Sequence, residues 1–345
     1  MNMKKLNIWH LMMLTILTLL TMIACGSEDD IDSDTSSLTS SNLTEDGYFD
    51  GILYYQITSN SPNEVAVNKV SKTAARVEIP AQINIEGKNY KCTSIGKKAF
   101  DGCRGLLSIK IGRYVESISA NAFMSCSALE EISVDKSNAI YDSRENCNAI
   151  VDSQHNSIIL GCKSTTFPSN VLYIGDYAFY GRKNFVSLVL PHNIYYIGYM
   201  AFSNCENLTS VSVVADCIGE YAFYNCSKLE SVDLGIYLKL IGCQAFNECS
   251  NLKSVHCLKK RSAPHMGCQI SFNEGKETQP PYPYSLLSHS DDNISYYIIY
   301  GYQSGMDVFD SSTYMHGTLY VLEGMTDEYR KTNDWWRFEK IVEEN

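Results

Sequence analysis

Charge is scarce in this sequence. Of 345 residues only 19% are Asp, Glu, Lys or Arg, and bases are outnumbered 28 to 39. Clusters of Lys and Arg that could neutralise a phosphate backbone are missing, and the formal charge is −11. General nucleic-acid binding is therefore excluded. Chemistry motifs are missing as well: there is no Cys-x-x-Cys, no Cys/His grouping at zinc spacing and no His-Glu-x-x-His. Neither Gly-x-Ser-x-Gly nor a phosphate-cradling loop occurs. No catalytic, cofactor-binding or metal-ligating residue can be named, so no enzyme and no cofactor is expected. What remains is 45% hydrophobic. That is globular composition, and the length suggests two or three domains.

The amino terminus reads as an export signal. Met1 to Lys5 is a short basic start, and Leu11 to Ile23 is an almost unbroken apolar run. Counted from Leu6 the run is 18 residues, interrupted by Asn7 and His10, where a membrane span needs about 20. Met22-Ile23-Ala24-Cys25 resembles a bacterial lipobox, with Met22 where Leu is commoner. The resemblance implies a signal peptide over 1–24 and lipidation at Cys25, the sole expected membrane contact. Loss of Lys4 and Lys5 with that leader takes the net charge from −11 to −13. Gly26-Ser27-Glu28-Asp29-Asp30 is similar to the acidic run of Bacteroidetes lipoproteins displayed on the cell surface. Residues 25–46, poor in apolar side chains, are expected to be a disordered tether.

A repeat organises the rest. Ala-Phe recurs with its Phe at 100, 123, 179, 202, 223 and 246, in steps of 23, 56, 23, 21 and 23 residues. Five residues before each Phe stands Ile95, Ile118, Ile174, Ile197, Ile218 or Ile241, followed by Gly in every case but Ser119. Three residues after it comes Cys103, Cys126, Cys205, Cys226 or Cys249, with Arg182 breaking the column. Leu then follows at Phe+6, where Phe185 is the exception, and Ile, Leu or Val at Phe+9. Coils of this size cannot bury their own apolar side, so stacking must supply the core. The Ala is expected to be small because neighbouring coils press on it. Gly after Ile suggests a tight corner with an unusual backbone angle.

The pattern I-G-x-x-A-F-x-x-C-x-x-L-x-x-[IV] resembles the BspA-like leucine-rich repeats of bacterial surface proteins, over roughly Tyr48 to Asn345. No asparagine ladder follows the strand, as it would in ordinary leucine-rich repeats. The implied fold is a β-rich solenoid with a short strand and a short helical turn per coil, a hairpin insertion and terminal caps. The expected divisions are an amino-terminal β cap over 47–90, repeats over 91–257, and an irregular segment with a carboxy-terminal cap over 258–345. The 56-residue step holds an insertion near 135–167. In it, Ala149 to Val151 and Ser157 to Leu160 flank turn-forming residues and read as a hairpin. Gly51 to Ile57 with Glu64 to Val67 reads as another hairpin. Thr318 to Val321, Tyr329, Trp335, Trp336, Phe338 and Ile341 resemble the family's closing segment. Ser262 to Tyr314 has no clear period.

Twelve Cys lie beyond Cys25. Adjacent coils could bring column members within disulfide reach, but Cys205, Cys226 and Cys249 leave one unpaired, so free buried thiols are favoured. The strand residues between apolar positions, such as Ser210/Ser212, Ser231/Asp233 and Ser254/His256, form a polar face lacking aromatics, which suits a protein more than a sugar. Tyr is abundant, at 24 residues. Tyr173, Tyr177, Tyr195, Tyr196, Tyr199 and Tyr221 fall on three consecutive coils and form the candidate partner-binding patch. They could equally cover the insertion hairpin, and Arg182 and Phe185 could mark where it docks. The family resemblance implies adhesion to or recognition of a host or bacterial protein at the outer-membrane surface. A glycan-binding accessory lipoprotein and a non-binding structural surface protein are the alternatives.

Overall fold

The computed structural model describes residues 37–259, 262–270, 298–299, 307–332 and 334–345. The chain divides into two units, Met1–Ser36 and Ser37–Asn345. The leader, Cys25, the acidic run, the first part of the tether and much of Ser262 to Tyr314 lie outside the described residues.

The second unit is a solenoid of short coils. Each regular coil contributes one strand to a parallel strand face and a shorter one, carrying the repeat Ile, to a parallel back sheet. On the strand face Ser187–Val189, Ser210–Val213, Ser231–Leu234, Ser254–Cys257, Thr318–Leu322 and Lys340–Glu344 pair in that order. Arg76–Glu78, Ser108–Ile111 and Glu131–Val134 form a separate three-stranded part. The back sheet runs through Tyr173–Ile174, Tyr196–Ile197, Cys217–Ile218 and Leu240–Gly242. At the amino-terminal end Leu53–Asn60 and Asn63–Val70 pair antiparallel.

Between the two sheets the Ala-Phe columns become rows. The rings of Phe179, Phe202, Phe223 and Phe246 stack at 4.9, 5.2 and 5.1 Å with interplanar angles of 6°, 3° and 1°. All four are fully buried. Phe179, Phe202 and Phe223 each donate N–H to the Ala carbonyl of the next coil, as from Phe202 to Ala222 at 2.7 Å. The row then continues where the sequence pattern had lapsed. Phe309 stacks on Phe246 at 5.4 Å, and Val308 takes the Ala role by accepting from Phe246 N–H at 2.8 Å.

The helical turn of each coil is a chain of i−3 turns rather than a helix. A left-handed residue two places after every Phe interrupts it: Gly102, Ser125, Gly181, Asn204, Asn225 and Glu248 all have φ between 55° and 71°. The glycines after the repeat Ile serve another purpose than the one expected. Gly198, Gly219 and Gly242 do not have positive φ. They are glycines because the preceding coil presses on them: a Cβ on Gly219 would lie 2.7 Å from the Ile197 carbonyl oxygen and 2.9 Å from the Gly198 carbonyl carbon. The constraint is contact between coils, not backbone twist.

Part of the expected tether is also built in. Leu38 is buried, its N–H donates to Asn84 O at 2.9 Å, and its carbonyl accepts from Glu86 N–H at 2.8 Å. One leucine suffices because the sheet offers it a slot and two backbone partners.

The insertion acts as a surrogate coil. Ala149–Asp152 and Ser157–Gly161 form an antiparallel pair whose second strand runs parallel to Tyr173–Ile174. Gly161 N–H donates to the Ala178 carbonyl at 3.0 Å, the bond a preceding Phe would make. A Cβ on Gly161 would collide with the Phe179 ring, so only glycine leaves room for it. The hairpin divides the interior in two. Ile150, Ile159 and Leu160 belong to the amino-terminal core, while Val151 and Ile158 belong to the carboxy-terminal one.

Candidate partner-binding surface

The Cys column explains how coils are tied beside the Phe row. Cys126, Cys205, Cys226 and Cys249 each direct Sγ to a Phe carbonyl of an earlier coil, at 3.2 to 3.4 Å. The column members Cys103, Cys126, Cys205, Cys226 and Cys249 are free, buried thiols. Burial pushes Cys126 and Cys205 up to about 12, so both are neutral thiols that donate weak hydrogen bonds.

Arg182 stands where this column meets the insertion. Its Nε donates to Gly161 O at 3.0 Å, the counterpart of the Cys-to-Phe bond, and Nη1 reaches on to Cys126 O at 2.8 Å. The side chain is fully buried, and burial lowers its pKa. A thiol is too short to span both carbonyls, which accounts for the break in the column. Phe185 packs edge-on against Phe179 at 5.7 Å in the same place. Arg182 therefore serves the docking of the hairpin, while Phe185 packs on Phe179 and Phe202 of the Phe row.

The six tyrosines fall into separate groups. Tyr177, Tyr199 and Tyr221 line one edge of the solenoid, their rings edge to face at 5.4 and 5.7 Å. Tyr177 and Tyr221 have φ of 58° and 56°, two residues before their Phe, which turns the rings onto this edge. Tyr180 and Tyr224, one residue after their Phe, extend the group at 5.9 and 5.5 Å. They escaped the sequence reading because Asp101, Met124, Ser203 and Asn247 occupy the same column elsewhere. Burial, with Tyr199 and Asp176 nearby, pushes Tyr177 up to about 12, so the row is uncharged at neutral pH.

The other three do not join that row. Tyr173 is buried and pairs in the back sheet with Tyr196, which packs against Cys217 and Leu240. Tyr195, just before the strand, is exposed. Asp176 lies beneath this region. Its Oδ1 accepts from Tyr199 N–H at 2.8 Å, and burial raises its carboxyl to about 6.

The strand face carries two registered rows. One is Ser187, Ser210, Ser231, Ser254 and Thr318; the other is Val189, Ser212, Asp233, His256 and Tyr320. Tyr320 corrects the expectation of a face without aromatics. It arrives on a strand 64 residues after the previous one in sequence, counted from Ser254 to Thr318, so repeat spacing could not reveal it. The Tyr320 ring stacks on His256 at 4.3 Å and 6°, so that side of the ring is already covered. His256 Nδ1 meets Glu344 Oε2 at 3.2 Å. Asparagine clamps replace the missing ladder: Asn207 and Asn251 Nδ2 donate to Lys183 O and Ser227 O of preceding coils, both at 2.6 Å.

Comparison with known families matches the BspA type leucine-rich repeat region, in six copies, to residues 81–159 and 155–263. No curated protein sequence matches. Among solved structures, a leucine-rich repeat protein from Bacteroides ovatus is similar at 20% identity and a TM-score of 0.38, over 64% of this chain and 67% of that one. A leucine-rich cell surface protein from Faecalibacterium prausnitzii shares 18% identity over 61% and 69% of the two chains, with a TM-score of 0.33. The pneumococcal vaccine antigen PcpA shares 14% identity over 86% and 98%, with a TM-score of 0.41. With its stacked Ala-Phe coils and a family match over half its length, the chain belongs to the BspA-type leucine-rich repeat proteins.

Proposed function

We propose that this protein is a cell-surface lipoprotein that holds a protein partner against the tyrosine edge of its solenoid. The observation that carries the reading is the row Tyr177–Tyr199–Tyr221, partly exposed and locked edge to face on a stacked scaffold. Tyr offers a large contact area with an uncharged hydroxyl and loses little entropy when it is already held. A repeat family of this kind supports an interaction role and no catalysis.

Purified protein is to be tested against panels of immobilised host and bacterial surface proteins, with a glycan array in parallel. Changing Tyr177, Tyr199 and Tyr221 together to Ser is expected to weaken a protein hit about thirtyfold or more, as loss of interface hot spots does. Circular dichroism should be unchanged. A hit confined to the glycan array, or a protein hit that survives the triple change, would overturn the assignment.

Anchoring is proposed at Cys25. The protein is expected to incorporate labelled palmitate in cells and to be shaved by protease from intact cells. Cys25→Ser should lose the label and retain the leader as a heavier precursor. An unlabelled wild-type protein would sink the anchor, and protease resistance on intact cells would sink surface display.

A further inference from the structure

We infer that the strand Lys340–Glu344 is a self-recognition edge, through which a second copy of this chain adds to the strand face in antiparallel, two-fold symmetric pairing. The strand is last in the six-stranded order, paired on one side with Thr318–Leu322. Among the described residues no strand pairs with its other side.

Backbone direction fixes which groups that side offers. Glu323 N–H donates to Glu344 O at 3.0 Å, and Glu344 is in register with Leu322. Glu344, and by alternation Val342 and Lys340, therefore turn their backbone groups toward Thr318–Leu322. Ile341 and Glu343 turn theirs toward the open side, and two N–H and two C=O groups of one copy can meet the same set on another.

Edge strands are usually blunted by charge, Lys above all. Here the order of the charges defeats the blunting for one partner. A two-fold axis through Val342 sets Ile341 opposite Glu343 of the second copy as hydrogen-bonded pairs. Val342 then faces its own equivalent, and Lys340 faces Glu344 of the second copy in a non-hydrogen-bonded pair, where side chains approach closest. Opposite signs meet twice, the Glu344 carboxylate accepting from Lys340 of the second copy beside its own contact with His256 at 3.2 Å. Any one-residue slip would break both matches, so the charges select this register while repelling others. A closed two-fold contact of this kind is isologous, with each copy giving and receiving the same surface. Glu343 does not interfere, because its carboxylate is folded back onto Thr326 N–H at 3.1 Å. The other free edge of the strand face, Ser187–Val189, is three residues long and carries no charge to set a register. The inference does not depend on the tyrosine row.

The test uses Val342→Cys in the full chain, in cells, with oxidised glutathione and non-reducing gels. The two-fold axis places the two new thiols opposite each other, and a disulfide-linked dimer is expected. Adding Lys340→Glu or Glu344→Lys to that chain should each lower the dimer yield about tenfold, since like charges then face each other. Co-expression of those two double variants with different tags should restore it as a heterodimer. Three results would overturn the inference: no dimer although Val342→Cys reacts with maleimide, a yield indifferent to the charge reversals, or Val189→Cys forming the dimer instead.

Discussion

Phe202→Ala is expected to cost about 3–5 kcal/mol of unfolding free energy, read as a lowered urea midpoint by circular dichroism. The ring lies between Phe179 and Phe223, nearly parallel to both, and has no exposed surface. Its removal deletes two stacked contacts and leaves a hole that rigid coils on either side cannot close. Phe202→Leu, which keeps most of the volume, should cost distinctly less. The loss propagates, because each coil is stable only through its neighbours. A cost below about 1 kcal/mol would mean that the Phe row is not what holds the stack.

Gly219→Ala should destabilise by about 1–3 kcal/mol, toward the upper end of overpacking costs. The added methyl would meet the Ile197 carbonyl oxygen at 2.7 Å and the Gly198 carbonyl oxygen at 3.0 Å. Those atoms are main chain and cannot rotate aside as a flexible side chain would. Gly105→Ala is the contrast: no atom lies within 4 Å of its Cβ position and its φ is not positive, so it should be neutral or slightly stabilising. Equal thermal midpoints for the two variants would refute the idea that coil contact, not local backbone freedom, fixes this column.

The columns that were legible are those in which one residue type meets one demand. Ala-Phe repeats because ring upon ring and carbonyl upon N–H recur identically, and the Cys column because a small donor fits one bond. The Gly column was visible too, but its cause was not: sequence shows that a side chain is forbidden, without showing whether φ or a neighbour forbids it. The left-handed position after each Phe stayed hidden because Gly102, Ser125, Asn204 and Glu248 all satisfy it. Tyr173 and Tyr199 look alike in a list, and only the strand pairing separates the buried one from the edge row. Phe309 and Tyr320 were missed for a different reason. They follow a long departure from the period, and the residue that replaces Ala there is Val308.

The surrogate coil has a mechanical meaning. Under the anchoring and partner binding proposed above, the molecule would be pulled lengthwise. Most junctions along its axis are alike and would yield together. The junction at Gly161 and Arg182 is unlike the rest, because it divides two interiors that are each complete on their own side. Load along the axis would pass there through the hairpin strand and the bonds of Arg182 to the Gly161 and Cys126 carbonyls.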